Sequence, residues 1–584
     1  MTSTAGGSPP SNVRSTPEQY TKSIHQACMK SLQTDLFSSA HYQFLSDFLK
    51  STSRHDLPAR SPGLGAEAPS LRSQDRFTYV VVHTIANGAI KRHCFDHKTG
   101  LEDIWKFPDV QPGTDQIVFV RGSLSPAWVG VLGAKYQIDP EFFRRHLRYL
   151  SQNDFSDLPS LPSASTNTIS LPVTSLYTRS FALRQDQVRR RRREDYDVAR
   201  SNQQAIRQSA STGESIIRKV STLTDRLVSV EHDISIYTKE TVNGCRLAFV
   251  LLDNGLNLNR PDGPPCFSRH DSLFKNTTSS NLSLNPILIP RPDTIHTGVA
   301  HPVIPGHDRD HANLNSFCHV ASLLPFHFGM SLSERHISPT PRPTRPSIML
   351  LLKEVFILVA GSECQFLNRV HSVVKEEQRN PGDERQMELA LNTLVYIKTL
   401  LDEHRSRLQG IITFLGRCSS PDSDSDIARR DSCAAATARS VPQGEMMGII
   451  YGDFEELLSR NKSLGEFCVG SMDLIMNNAM LKESRKAVET ADDQKRLTIL
   501  AYFFLPLSLA TSIFGMNVQE FGTGNQHIWL PVVTLAVIVL VAMILLNPHY
   551  FKSCWSKFVK RRQPEIPTYQ TQGATMLFND SIVN

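Results

Sequence analysis

The chain has 584 residues, a net charge of +6 at pH 7 and 40% hydrophobic residues. It is therefore long enough for several domains, and it has no excess of positive charge of the kind that indicates nucleic-acid binding. Its ten cysteines are scattered without a C-x-x-C pair, which argues against a zinc ribbon or a dithiol redox motif and fits a reducing compartment.

The first part of the chain predicts a tail. Residues 1–75 are rich in Ser, Pro and Gly near both ends, so we predict a flexible N-terminal segment there. One helix-like apolar pattern lies inside it, between Gln19 and Leu49. Residues 1–14 contain no apolar stretch, so we expect no secretory signal.

From Arg76 onward strand and helix patterns alternate. Residues 77–85, 116–121 and 245–252 are β-branched, aromatic or aliphatic runs, which predict buried strands. A helix is expected to run through Trp128 to about Tyr136. Asp139, followed by Pro and Glu, predicts a further helix start, because Asp caps free N–H groups and Pro fits the first helical position. We predict an α/β or α+β cytosolic domain over residues 76–416.

Four stretches of this domain need a separate interpretation. Residues 254–315 are rich in Pro, Asn and Ser, which predicts a disordered insertion. Residues 348–360 are apolar, but they are too short for a membrane span and carry two central charges, so we expect a buried element. The five arginines at 189–193 stand beside acidic residues and predict a solvated helix face. The His and Cys residues of 307–319 lack a standard metal-site spacing, so the ligands of any bound metal remain unknown.

After a predicted loop at 417–445, residues 446–496 predict a long stalk helix. Its apolar positions recur at steps of seven and four residues, as in a coiled coil. These positions are Leu457, Leu464, Cys468, Ile475 and Ala479. We therefore expect this helix to pack along other helices.

Two uncharged stretches near the C-terminus predict membrane helices. Residues 497–517 and 528–547 are each about 20 residues long, enough to cross about 30 Å of hydrocarbon. They form a hairpin around an outer loop at 518–527, which contains no Lys or Arg. Basic residues flank the hairpin on both sides, so the positive-inside rule predicts that both termini, including the tail at 548–584, are cytosolic. A single-span tail anchor is the alternative, but it does not explain two spans.

The first span ends in Gly515, Met516 and Asn517, after Leu-Pro-Leu at 505–507. With a second span close behind, this pattern resembles the CorA family of magnesium channels, whose signature is G-M-N at the outer end of the first membrane helix. Residues 125–128 and 133–143 are also similar to fungal CorA-like domains. The resemblance implies a homopentamer in a lipid bilayer and cytosolic divalent-cation sites that close the channel. The acidic candidates for such sites are Asp453, Glu455, Glu456, Asp492 and Asp493, and no motif selects among them.

The chemistry of magnesium fits this motif. Mg²⁺ loses its water reluctantly, so a ring of Asn517 amide oxygens from several subunits could hold the hydrated ion. Helical spacing back from Asn517 gives Ser512, Ser508 and Leu505 as pore-lining candidates. The alternative is that the serines bond to their own helix backbone.

The outer loop leaves the identity of the ion open. Magnesium-transporting members often carry M-P-E-L in this loop, whereas Glu520 is its only acid here and is our candidate for an outer-mouth charge. Cobalt, nickel or zinc therefore remain alternatives to magnesium.

We predict channel-like transport of divalent cations, with no cofactor other than the ion, no catalytic residues and no nucleic-acid partner. The plasma membrane is the expected location, since no organelle signal is visible. The alternative is a membrane-anchored, non-conducting sensor or interaction protein with the same fold.

Overall fold

The computed structural model describes residues 15–29, 40–50, 77–86, 89–97, 99–109, 111–151, 161, 165–209, 212–240, 244–256, 282–288, 320–328, 348–379, 383–419 and 443–516, and the single positions 533, 536, 537 and 540. The chain divides into two compact units, Met1–Ile475 and Met476–Asn584.

A mixed eight-stranded sheet forms the centre of the first unit. Its strands are β1 (Thr78–Ala86), β2 (Ala89–Asp96), β3 (Asp115–Arg121), β4 (Thr168–Arg179), β5 (Lys219–Thr222), β6 (Leu227–Glu240), β7 (Arg246–Leu252) and β8 (Leu282–Asn285). The spatial order is β2-β1-β3-β7-β6-β4-β8, and β5 also pairs with β6. Only β3 and β7 run parallel; the other described pairs are antiparallel.

The three strands expected from apolar runs are confirmed as β1, β3 and β7. They lie next to each other in the sheet and are largely buried. The prediction of a disordered insertion at 254–315 is wrong at strand β8, because Leu282–Asn285 pairs with β4. Leu282 of β8 is buried against Tyr177 and Val228, so this short piece is held by the sheet. Residues 257–281 and 289–315 of the predicted insertion lie outside the described residues.

Five helices cover one face of β1, β3 and β7: α1 (Pro17–Met29), α2 (Gln43–Lys50), α3 (Gly100–Lys106), α4 (Pro126–Tyr136) and α5 (Pro140–His146). Their shared core contains Trp128 and Phe143 from the helices and Val80, Val118 and Phe249 from the strands. The predicted cap of α5 is confirmed, since the Asp139 carboxylate accepts a hydrogen bond from the Glu141 N–H at 2.9 Å.

The prediction of a flexible tail over 1–75 is wrong for the residues that form α1 and α2. Tyr20, Ile24, Leu45 and Leu49 are buried in the same core as Trp128. The Tyr20 hydroxyl also donates a 2.9 Å hydrogen bond to the Ile138 carbonyl. Apolar burial and this buried bond fix the segment to the domain, although Ser, Pro and Gly surround it in sequence.

The remaining helices are α6 (Gln185–Ser209), α7 (Val320–His327), α8 (Ile348–Leu351), α9 (Lys353–Arg379), α10 (Glu384–Ser419) and α11 (Gln443–Met516). Helix α6 packs on β5, and α9 and α10 pack against β4. Residues 348–360 form α8 and the start of α9, with Leu351, Val355 and Phe356 buried. The prediction of a buried element at 348–360 is therefore confirmed.

The arginine run lies on α6, as predicted, but it is only partly solvated. Arg190 pairs with Glu194 in the same helix. Arg192 instead donates to the carbonyls of Thr222 and Leu223 and to the Thr393 hydroxyl of α10. This arginine fastens α6 to the sheet and to α10, which is a structural role.

Helix α11 is longer than the predicted stalk, because its helical backbone continues from Gln443 to Met516. Up to Ile475 it packs beside α9 and α10. Phe454 contacts Phe356 of α9 with ring centroids 6.5 Å apart, and the Cys468 thiol donates to the Leu394 carbonyl of α10. Leu457, Leu464, Cys468 and Ile475 of the predicted stripe are buried; Ala479 is half-buried. Residues 420–442, most of the predicted loop, lie outside the described residues.

In the second unit, α11 continues with mostly exposed side chains up to Ser512. Four positions of the second predicted span, Val533, Ala536, Val537 and Leu540, are helical. In the part of the chain that the structure describes, no helix combines the length and apolar character that a bilayer crossing needs. The two-helix membrane hairpin stays a prediction.

Candidate functional site

The three pore-lining candidates lie on the C-terminal part of α11. Leu505, Ser508 and Ser512 have helical backbone and are exposed, and Leu505 exposes 70% of its surface. Steps of three and four residues at about 100° each place the three on one face of the helix, within an arc of about 60°. The fold therefore presents them together, as their spacing predicts.

The signature residues stand at the end of this helix. Gly515 and Met516 form the last positions of α11, so the backbone at Gly515 is helical. Asn517 and Glu520 lie outside the described residues.

Several hydroxyl groups further back in α11 bond to the backbone of their own helix. Thr490 donates to the Lys486 carbonyl at 2.9 Å, and Thr498 donates to the Gln494 carbonyl at 2.8 Å. Such back-bonding is common for Ser and Thr in helices. It is the alternative role for Ser508 and Ser512, and both roles stay predictions.

The acidic candidates for regulatory sites are exposed on α11. Partial burial raises the pKa of Asp453. Asp493 lies 3.6 Å from Arg496, with side chains 76% and 82% exposed, and such surface pairs contribute little to stability. Within the described ranges, no group of three or more His, Cys, Asp or Glu side chains could hold a metal ion. The choice among the five acids stays open.

A buried charged cluster that the sequence did not reveal connects the sheet with two helices. His404 of α10 stacks on Phe366 with ring centroids 4.1 Å apart. Its Nδ1 lies 2.9 and 3.0 Å from the two carboxylate oxygens of Glu363 of α9, and its Nε2 lies 3.5 Å from Glu231 of β6. Arg407 also donates to Glu231. The four charged groups balance when His404 is protonated.

The cluster shifts the titration of its members. Burial alone would lower the pKa of His404, but Glu363 and Glu231 raise it to about 9. Burial alone would raise the pKa of Glu231, but Arg407 and His404 hold it well below its usual range. Both shifts favour the charged forms at neutral pH.

A second buried cluster lies where β7 ends. The Arg218 guanidinium donates to both carboxylate oxygens of Asp253, at 2.6 and 2.9 Å. Asp253 also accepts the backbone N–H of Asp233 at 2.6 Å, and His146 lies beside it with Nδ1 3.0 Å from the Ser235 hydroxyl. The one sequence signal for both clusters is the run of Glu, His and Asp at 231–233 inside a strand.

Two parts of the chain thus stand out: a mixed α/β domain with a bundle of long helices, and a helix that ends at Gly515 and Met516, the first two residues of the G-M-N motif. Residues 447–548 match the model of the family described as CorA-like Mg²⁺ transporter protein. This segment of the chain is similar to the CorA-like family, so the resemblance seen in the sequence is confirmed there. The assignment to a fungal branch stays a prediction.

No curated protein matches the chain. Among solved structures, the CorA magnesium transporter from Methanocaldococcus jannaschii matches with 13% identity and a TM-score of 0.33, covering 80% of this chain and 96% of that one. The full-length CmaX protein matches with 11% identity and a TM-score of 0.27, covering 82% of this chain and 99% of that one.

Proposed function

We propose that this protein is a channel-like transporter of divalent metal cations, with magnesium as its principal ion. The observation that carries this proposal is the match of residues 447–548 to the CorA-like Mg²⁺ transporter family. The matched segment contains the G-M-N motif and the exposed face of Leu505, Ser508 and Ser512.

The proposed pore uses neutral oxygen atoms. Mg²⁺ keeps most of its hydration shell because removing water from so small an ion is costly. A ring of Asn517 amide oxygens would contact these water molecules, and the Ser512 and Ser508 hydroxyls would continue the polar path. Leu505, one turn further in, would form an apolar constriction. The membrane potential, negative inside, would drive entry of the ion.

The proposed assembly is a homopentamer in the plasma membrane with both termini in the cytosol. Helix α11 would form its stalk, and residues 497–517 and 528–547 would cross the bilayer. Symmetric closed rings are the usual way in which identical subunits surround a common axis. Such a ring would bring five copies of Asn517 together.

The experiment that tests this proposal is cation uptake by the full-length chain in vesicles that contain a magnesium-sensitive dye. We expect uptake by the native protein under an inside-negative potential, and we expect Asn517→Ala to reduce it to the level of empty vesicles. The matched control is Asn525→Ala, which makes the same change in the outer loop. It should retain uptake at equal protein content.

Other ions test the alternatives in the same assay. Uptake of cobalt, nickel or zinc without magnesium would assign a different selectivity, which the single acid Glu520 in the outer loop would permit. If none of these ions enters through well-incorporated native protein, the non-conducting sensor or interaction protein is the better assignment.

A further inference from the structure

Helix α11 carries a strict heptad stripe along its first thirty or so residues, longer than the stripe visible in the sequence alone. Its members follow each other at alternating steps of three and four residues, and all of them are buried. They are Met447, Ile450, Phe454, Leu457, Asn461, Leu464, Cys468, Ser471 and Ile475. This is the pattern of a helix that packs along its neighbours with one continuous seam.

One member of this stripe is polar and lacks a hydrogen-bond partner. Both the amide nitrogen and the amide oxygen of Asn461 are buried without a partner among the described residues, and the residue exposes 0% of its surface. The other polar members are satisfied. Ser471 donates to the Phe467 carbonyl at 2.8 Å, and Cys468 donates to the Leu394 carbonyl at 3.3 Å.

The contacts around Asn461 fix its level in the bundle. Its neighbour Arg460 reaches Asn368 and Cys364 of α9. Gly465, one turn further on, would place a Cβ atom 3.1 Å from the Arg405 guanidinium of α10. Asn461 therefore lies at the level of Glu363 and His404, the buried charged residues that are the immediate sequence neighbours of Cys364 and Arg405.

The levels above and below are mostly apolar or aromatic. Towards the start of α11, Phe454 meets Phe356 of α9. Towards Ile475, Phe467 meets His371, with ring centroids 5.7 Å apart, near the buried Val370 and Val374. An apolar seam that repeats every seven residues fits its neighbours almost equally well after a shift, so it specifies register poorly.

We propose that Asn461 sets the register of α11 against α9 and α10, and that it does so at a cost in stability. A shift along the seam would bury its amide in an apolar layer. In the observed register Asn461 lies at the level of the buried charged residues Glu363 and His404. A single buried Asn in a heptad seam is known to act in this way on pairing of helices.

The test measures register and stability separately in the full-length chain in detergent. Spin labels attached through an unnatural amino acid at the exposed positions Glu376 of α9 and Glu456 of α11 report the register, because these positions lie far apart along the bundle axis and their separation changes with an axial shift. For the native protein we expect one narrow distance distribution. For Asn461→Leu we expect a second population, displaced by about 5 Å for a shift of one turn, together with an unchanged or higher thermal midpoint.

Two further variants keep the test decisive. Asn461→Ala removes the amide without adding volume and should give the same second population. Cys468→Val changes a polar member of the stripe that already has a partner, and it should leave the single distance unchanged. One narrow distance in both Asn461 variants would overturn the proposal. A lower thermal midpoint in both would also overturn it, since the amide would then make a stabilising contact. Neither result depends on transport.

Discussion

His404 lies at the centre of a buried cluster in which two carboxylates and an arginine surround a protonated imidazole. Taking such charges out of water is costly, and only their mutual contacts offset this cost. Removing one partner leaves the others uncompensated, which typically costs about 3–5 kcal/mol. The cluster is therefore a sensitive point in the attachment of α9 and α10 to the sheet.

We predict that His404→Gln lowers the stability of the first unit by about 3 kcal/mol or more, because Glu363 and Glu231 would then share the interior with Arg407 alone. The matched control is His371→Gln, the same substitution at an exposed position of α9. Thermal unfolding of the two purified variants beside the native chain measures the difference. Equal midpoints for the two variants would show that the cluster carries no special stabilisation.

The same cluster predicts a pH dependence. The pKa of His404 is about 9 in the folded state and about 6.5 in an unfolded chain. A raised pKa means that the folded state holds the proton more tightly. The contribution of His404 is thus fully present below about pH 6.5 and is lost as the pH rises through about 9.

We therefore expect the native protein to lose stability between pH 6.5 and pH 9.5 more steeply than the His404→Gln variant, which lacks this titrating group. The groups that face His404 are Glu231 from β6, Glu363 from α9 and Arg407 from α10. Since the pKa of Glu231 is lowered, its contribution is lost only as the pH falls below about 4.5. Parallel pH profiles of native and variant protein in the alkaline range would contradict this assignment.

At the scale of elements, three chain segments cross closely where the parallel strands β3 and β7 end. Gly122 follows β3 with a φ of +77°, and a Cβ atom there would lie 2.5 Å from the Gly213 backbone. The Gly213 N–H donates to the Ser123 carbonyl at 2.9 Å, and the Gly122 N–H donates to the Leu252 carbonyl at 2.7 Å. Glycine is required at this crossing for its backbone angle and for its lack of a side chain.

We predict that Gly122→Ala destabilises the domain far more than Gly113→Ala. Both glycines have a φ of +77°, but nothing lies within 4 Å of a Cβ atom at Gly113. Gly113→Ala should cost about 1–2 kcal/mol from the backbone angle alone, and Gly122→Ala should add a steric cost of about 1–3 kcal/mol. The thermal midpoints of the two variants measure this difference. If the two midpoints coincide, the close crossing has no energetic consequence.

The elements differ in how far the sequence predicts them. The apolar runs of β1, β3 and β7 identify them as strands because both of their faces are buried. The same criterion does not identify strands β4 and β6. Pro172 lies inside β4, and the three polar residues 231–233 lie inside β6. Glu231 is tolerated because His404 and Arg407 reach it from a distant part of the chain, and Asp233 lies 3.5 Å from the Arg218 guanidinium. Local composition cannot show such long-range partners.

At the scale of the whole molecule, the candidate site was predictable from a short motif, whereas the attachment of the N-terminus was not. Leu505, Ser508 and Ser512 share a face because helical spacing demands it. Helices α1 and α2 belong to the core because their few apolar side chains meet α4 and α5. Whether an amphipathic segment finds such a partner surface is a tertiary property, which its own sequence does not contain.

The N-terminal segment gives the last prediction. Gly133 of α4 faces the Tyr20 ring directly, and Ile24 and Leu45 fill the core beside Trp128. Removal of residues 1–50 would expose this apolar surface of α4 and α5, so we expect loss of soluble, folded protein or a large fall in the thermal midpoint. The control is a chain that begins at Ser15, which retains α1 and α2 and should match the full-length midpoint. If the 1–50 deletion leaves the midpoint unchanged, the segment contributes no stability and the prediction of a tail would regain support.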